Sequence, residues 1–169
     1  MIIYFLLIYN LVVMNDINKK EIIQILSKNN LTFCSAESIT GGAFASSFVK
    51  IKGISNFFDG SFICYSNKYK YNILKVNKNI EIVSSEMANE LSINSRKILG
   101  SNISISFTGN ASSNGIESKL KGLSYISITN GSFIESTKYI SKLNDRTEII
   151  NDTVEFGIEF FKKFLLKYY

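Results

Sequence analysis

Apolar residues along this chain recur with two different periods, and the switches between them mark out the elements. From Asp16 onward, Ile17, Ile22, Ile25 and Leu26 return at roughly helical spacing and predict a helix over 16–28, which Asn29-Asn30 ends. Residues 31–36 form a short apolar run of the kind a buried strand carries. Thr40-Gly41-Gly42 opens a helix with Phe44, Phe48 and Ile51 on one face, ending near Gly53. A second strand is expected over 60–65 and a short helix over 67–74. Ser84 or Ser85 then caps a helix reaching Leu99, with Met87, Leu91 and Ile98 turned inward. Residues 103–107 alternate as a third strand. Asn130-Gly131, set between apolar runs at 122–129 and 132–140, is the favoured turn pair of a two-residue hairpin and makes the sheet mixed. Residues 145–168 close the chain as a long helix striped with Ile150, Val154, Ile158, Phe161 and Leu165. Phe156 and Phe160 widen that stripe, which suits either a second subunit or the helix's own sheet. Together these elements predict a three-layer α/β/α sandwich with a mixed sheet of about five strands.

Composition narrows the chemistry more than the fold. A chain of 169 residues supports one domain, expected over 14–169. The sequence contains no histidine, which excludes a Ser-His-Asp triad, an HExxH zinc helix and any imidazole ligand set. Cys34 and Cys64 are the only thiols and lack CxxC spacing, so neither a metal site nor a disulfide framework is expected. Both lie in strand-like runs and read as reduced core residues. The net charge of +5 comes from scattered lysines rather than a basic stripe interleaved with aromatics, which argues against direct nucleic-acid binding. Residues 1–13 are apolar and uncharged, too short to span a bilayer and without the basic start of a secretory signal. They read as an N-terminal extension outside the domain, with no membrane partner and a cytoplasmic location expected.

Two motifs carry candidate chemistry. In Ala36-Glu37-Ser38-Ile39-Thr40-Gly41-Gly42, Ser38 falls between the end of a strand and the start of a helix, where ligands meet an open α/β sheet. Local sequence leaves two readings of Ser38 open, a helix N-cap or a hydroxyl nucleophile. Amides freed by Gly41-Gly42, with Thr40 beside them, are expected to hold an oxyanion or a phosphate. In Tyr65-Ser66-Asn67-Lys68-Tyr69-Lys70, the strand end and first helical turn let Tyr65 and Lys70 converge on one pocket. Without histidine, Lys70 is the candidate base for Ser38, provided burial keeps it neutral, and Tyr65 is placed to relay a proton or orient the serine. Glu37 is expected to hydrogen-bond the helix amides or to contact Lys70. Thr108-Gly109 follows a strand and offers backbone amides to a phosphate. Arg146, poorly placed for stability at a helix N-terminus, is expected to bind an anion.

These motifs resemble the CinA C-terminal domain family, whose members read A-E-S-C-T-G-G and then Y-S-N-x-x-K. Further likenesses are Val83-Ser84-Ser85-Glu86-Met87-Ala88 to V-S-E-E-V-A, and Asn144-Asp145-Arg146 to G-D-R. The family's T-G-x-A-G-P-x-G-G loop stands here as Thr108-Gly109-Asn110-Ala111-Ser112-Ser113-Asn114-Gly115, without the proline or the glycine run, and Lys119 precedes the next strand. The family's usual cysteine is Ile39, so a thiol there is not essential to any activity kept. The resemblance implies the α/β/α fold and a nicotinamide-nucleotide amidase that deamidates nicotinamide mononucleotide without cofactor. It implies catalytic Ser38, Tyr65 and Lys70, with Thr40, Gly41, Gly42, Thr108, Gly109 and Arg146 binding substrate. Two rival expectations are a nucleotide-binding protein of the same fold that has lost turnover, and an interaction protein serving competence or DNA repair.

Overall fold

A computed structural model describes residues 16–112 and 120–169; the extension expected over 1–13, and residues 113–115 of the loop that departs from the family's pattern, lie outside the described residues. Helix α1 (residues 16–28) buries Ile22 and Leu26 and ends where Asn30 adopts a left-handed φ of 52°. It is followed by β1 (Phe33–Glu37), α2 (Ala43–Val49), a 3-10 turn (Ile54–Asn56), β2 (Phe58–Ile63), α3 (Asn67–Asn72) and α4 (Ser85–Leu99). Then come β3 (Ile103–Gly109), β4 (Leu123–Thr129), β5 (Ile134–Ile140) and α5 (Arg146–Tyr168). The strands form one five-stranded mixed sheet in the order β2-β1-β3-β4-β5, with β1 parallel to β2 and β3 and the remaining pairs antiparallel.

Alternation along the strands sends the two halves of each to different layers. Phe33 of β1, Ile103, Ile105 and Phe107 of β3, and Ile126 and Ile128 of β4 meet α1, α2 and α5 in the larger core. Four phenylalanine rings pack there around Phe33, with Phe161 of α5 at 5.2 Å and Phe48 of α2 at 5.1 Å. On the opposite face a smaller apolar cluster joins Ala36 and Cys64 to Met87 and Leu91 of α4. The Ile-Ser alternation of β3 is therefore not a half-solvated pattern, because its serines are buried too. Small hydroxyls let α4 lie close to the sheet and are satisfied in pairs: Ser95 with Ser104 at 2.8 Å, Ser92 with Ser127 at 3.1 Å, and Ser106 donating to the Ala88 carbonyl at 2.6 Å.

Element positions agree with the hydrophobic pattern, with local corrections. Strand β2 begins at Phe58 and ends at Ile63 because its pairing with β1 slips at Phe33/Cys34, next to Gly60 at φ 145°. Helix α2 starts at Ala43 rather than at Thr40, since Gly41 and Gly42 take left-handed φ values of 58° and 99°. Ile98 is 51 % exposed, so the inner face of α4 runs through Ser95 instead. The β4–β5 hairpin has a four-residue connection, Thr129 pairing with Ile134, and the Asn130 side chain takes the Ser132 and Phe133 amides. Ser84 caps α4 by accepting from the Met87 amide, and Asp145 caps α5 by accepting from Thr147 and Glu148. In α5 the buried stripe runs through Ile149 rather than Ile150, while Phe156 and Phe160 pack against the chain's own core, Phe156 stacked on Tyr139 at 4.1 Å.

Helix α5 approaches the sheet at Gly157, where an added Cβ would lie 2.3 Å from Cε1 of Phe107. Phe107 is itself held by Phe44 at 5.0 Å, so the ring has nowhere to retreat. Gly157→Ala is expected to destabilise by about 1–3 kcal/mol, overpacking outweighing the better helix propensity of alanine. Urea unfolding measures it; unchanged stability would show that α5 shifts freely on the sheet.

Candidate active site

The carboxyl ends of parallel β1, β2 and β3 share one edge of the sheet, and the start of α5 returns to it. A cavity of about 420 Å³ opens there. Its lining draws on four segments: Ser38 and Ile39 after β1; Tyr65, Ser66, Asn67 and Lys70 after β2; Gly109 to Ser112 after β3; and Arg146 of α5, with Ile82 closing one side. The volume lies in the range of small-molecule sites. A smaller cavity of about 260 Å³ beside Arg96 and Phe133, on the β4–β5 hairpin, contains none of these groups.

Ser38 extends the β1 ladder by one step, its amide donating to the Phe107 carbonyl at 2.9 Å, and it is 8 % exposed. The turn that follows is folded back by Glu37. Its fully buried carboxylate accepts from Thr40 Oγ1 at 2.7 Å and from the amides of Gly42, Phe44 and Ala45 at 2.9–3.1 Å. The amides expected to receive a phosphate or oxyanion are therefore already occupied, Gly42 by Glu37 as one of the two expectations for that residue had it, and Gly41 by the Ser38 carbonyl at 3.2 Å. Thr40, Gly41 and Gly42 shape the turn and do not line the cavity. Ser38 is not a helix cap either, because Gly42 stands at the α2 N-cap position with no side-chain cap.

Lys70, on α3, is 1 % exposed. Its Nζ donates to the Tyr65 carbonyl at 3.5 Å and to Asn67 Oδ1 at 3.4 Å, both at the outer limit of hydrogen bonding. Among the described residues no carboxylate is ion-paired with it. Burial holds its pKa below the usual lysine value, with nearby Cys64 acting weakly the other way. The same burial pushes the Cys64 thiol up to about 11, which leaves it protonated and unreactive.

Tyr65 is 62 % exposed at the rim, and its hydroxyl accepts from Arg146 Nη2 at 2.9 Å. Among the described residues that hydroxyl meets neither Ser38 nor Lys70, so the expected proton relay is replaced by a bridge across the cavity mouth. Thr108 also departs from expectation: it is fully buried and donates to the Ile82 carbonyl at 2.6 Å, a bond that ties β3 to the segment before α4. Gly109 and Arg146 do face the cavity. Asn67, Ile82 and Asn110 to Ser112 were not singled out by sequence. Asn67 stands inside the Tyr-Ser-Asn run and was legible from it, whereas Ile82 carried no signal.

Gly109 has no room for a side chain, since a Cβ would lie 2.5 Å from the Leu123 carbonyl oxygen, 2.7 Å from Ile39 Cδ1 and 2.9 Å from Ser124 Cα. Two of those atoms are backbone of β4. Gly109→Ala is expected to destabilise by about 1–3 kcal/mol and to shift Ile39, the neighbour of Ser38. A fall in melting temperature and a blunted site together test this; a fully stable variant would show that β3 and β4 part easily here.

Comparisons with known proteins give the family and the fold. The model of the CinA C-terminal domain matches residues 15–165. A CinA-like protein of Fervidobacterium nodosum is 41 % identical over 121 residues, 69 % of this chain and 30 % of that protein. Another from Prochlorococcus marinus is 39 % identical over 146 residues, 82 % of this chain and 33 % of that protein. The chain thus spans about a third of the length of these curated relatives. Among solved structures, competence damage-inducible protein A (ComA) of Klebsiella pneumoniae superposes with a TM-score of 0.87 at 20 % identity, covering 92 % of this chain and 99 % of that one. The competence/damage inducible protein CihA of Agrobacterium tumefaciens gives 0.81 at 25 %, covering 86 % and 92 %. Among the described residues no helix is long and apolar enough to cross a membrane. With the family model spanning nearly the whole chain and the same α/β fold in the solved relatives, this chain belongs to the CinA C-terminal domain family.

Proposed function

We propose that the protein is an amidohydrolase that deamidates nicotinamide mononucleotide through a serine–lysine pair. The observation that carries this reading is that Ser38 and Lys70, from separate elements, open on one cavity, and that Lys70 is buried with no described carboxylate to keep it charged. The substrate comes from the family resemblance; the residues themselves support only acyl transfer by a serine and a lysine.

In the forward reaction, neutral Lys70 Nζ takes the Ser38 hydroxyl proton while Oγ bonds to the carboxamide carbon and the carbonyl electrons move to oxygen. The Ile39 amide directly follows the nucleophile and has no hydrogen-bond partner among the described residues. It is the donor assigned to that oxygen. The Lys70 ammonium then protonates the amide nitrogen, the C–N bond breaks and ammonia leaves an acyl ester on Ser38. Water, losing a proton to Lys70, attacks the ester, and Ser38 departs with that proton as nicotinate mononucleotide is released. Arg146, oriented by Tyr65, keeps guanidinium donors for the substrate phosphate.

Native protein incubated with nicotinamide mononucleotide should release ammonia and nicotinate mononucleotide in equal amounts. Unchanged nucleotide after prolonged incubation with folded protein would overturn the reading and favour a binding role for the same cavity.

A further inference from the structure

The carboxylate of Glu37 accepts more hydrogen bonds than any local cap requires. Oε2 takes Thr40 Oγ1, Gly42 N and Phe44 N, and Oε1 takes Ala45 N, with Ser61 Oγ at 3.3 Å and Ser35 Oγ at 3.4 Å. The side chain is 0 % exposed, and among the described residues no cation is ion-paired with it. Its charge is balanced by amide and hydroxyl dipoles alone, including the first amides of α2.

Successive residues of an extended segment point to opposite faces. Glu37 lies on the α2 side with Ser35, so Ser38 is sent to the other side, toward Cys64 and Lys70. Glu37 therefore does not touch the reacting atoms. Its own backbone is fixed in the sheet, with the carbonyl accepting from Cys64 N at 2.8 Å and the next amide bonded to Phe107. The return limb of the turn contains Gly41 and Gly42, both at positive φ, so the chain is least constrained just past the serine. The carboxylate ties that loose limb to the fixed strand.

We infer that Glu37 is the positioning residue of the nucleophile: its buried carboxylate holds the turn from Ser38 to Ala45 in the conformation that presents Ser38 to the cavity. This rests on reading the site as a serine–lysine amidase. Charge matters as well as shape, because a glutamine amide at the same place would set N–H against N–H at one of the two oxygen positions.

The test compares native protein with Glu37→Gln and Thr40→Val in nicotinamide mononucleotide deamidation, each rate normalised to folded protein. Misplacing a nucleophile by about 1 Å costs roughly 100-fold, so kcat of Glu37→Gln should fall by about that factor with KM within about threefold of native. The pH–rate limb should stay in place, because Lys70 is untouched. Thr40→Val, which removes a single bond, should lose about tenfold in kcat and still fold, which decides the matter if Glu37→Gln does not. Folded variants with native kcat and only a lowered melting temperature would overturn the inference, leaving Glu37 a stabilising group. If native protein does not deamidate this nucleotide, the substrate reading fails. The positioning role is then read from the rate at which a fluorophosphonate labels Ser38, expected to be about tenfold slower in both variants. A native protein that is neither active nor labelled at Ser38 would overturn both.

Discussion

Lys70→Met should lower kcat/KM for deamidation by roughly 10³-fold or more while leaving the melting temperature at or above that of the native protein. The two halves of this result have one cause. Lys70 is enclosed, and its Nζ has only long hydrogen bonds to the Tyr65 carbonyl and to Asn67. Burying the ammonium there is unfavourable, so the folded pKa lies below the value of an exposed lysine, 10.5. Between these two values the unfolded chain binds more protons than the folded one, and stability rises with pH. Below the folded pKa the penalty is present in full, and it is relieved as pH climbs toward 10.5. Methionine fills similar space without that penalty, so it removes the base and not the fold. Activity should follow the same proton in the native protein, rising with pH and levelling off once Lys70 is neutral. A Lys70→Met variant that keeps its activity would assign the base elsewhere; one that unfolds would show that the buried ammonium stabilises the domain.

On the proposed mechanism Ser38→Ala should cost about 10⁴-fold or more, because no other group supplies the bond that its hydroxyl forms to the carboxamide carbon. The structural cost should be small. Ser38 contributes a backbone amide to the sheet that alanine retains, and no hydrogen bond of its hydroxyl ties elements together among the described residues. Substrate affinity should survive, since the cavity wall and Arg146 are unchanged. The variant should therefore trap bound nucleotide without turning it over.

Much of this was legible in the residues alone. The periodicity of α1, α4 and α5, and the Asn130-Gly131 turn, placed the layers, because each buries a stripe or turns a hairpin by local rules. Where tertiary contacts decided, sequence misled. The alternation of β3 marked a strand but not that its serines are buried too, because the groups that satisfy them, the Ser95 hydroxyl and the Ala88 carbonyl, come from α4. The amides around Gly41-Gly42 were assigned to an anionic ligand, yet the Gly41 amide bonds back to the Ser38 carbonyl and the Gly42 amide goes to Glu37, the residue that sequence already offered as a partner of the helix amides. Tyr65 lies where its motif suggests, yet Arg146, 81 positions away in the chain, takes its hydroxyl, a pairing no local pattern reveals. The proposed pairing of Ser38 with Lys70 rests on the resemblance of the Tyr-Ser-Asn-x-x-Lys run to the family's motif, with the absence of histidine removing the usual base.

The most direct experiment places native protein and Ser38→Ala side by side with nicotinamide mononucleotide and measures ammonia release. Release by the native protein, abolished in the folded variant, is the expected outcome. Equal release from both would mean that Ser38 is not the nucleophile and that the chemistry lies outside this pair.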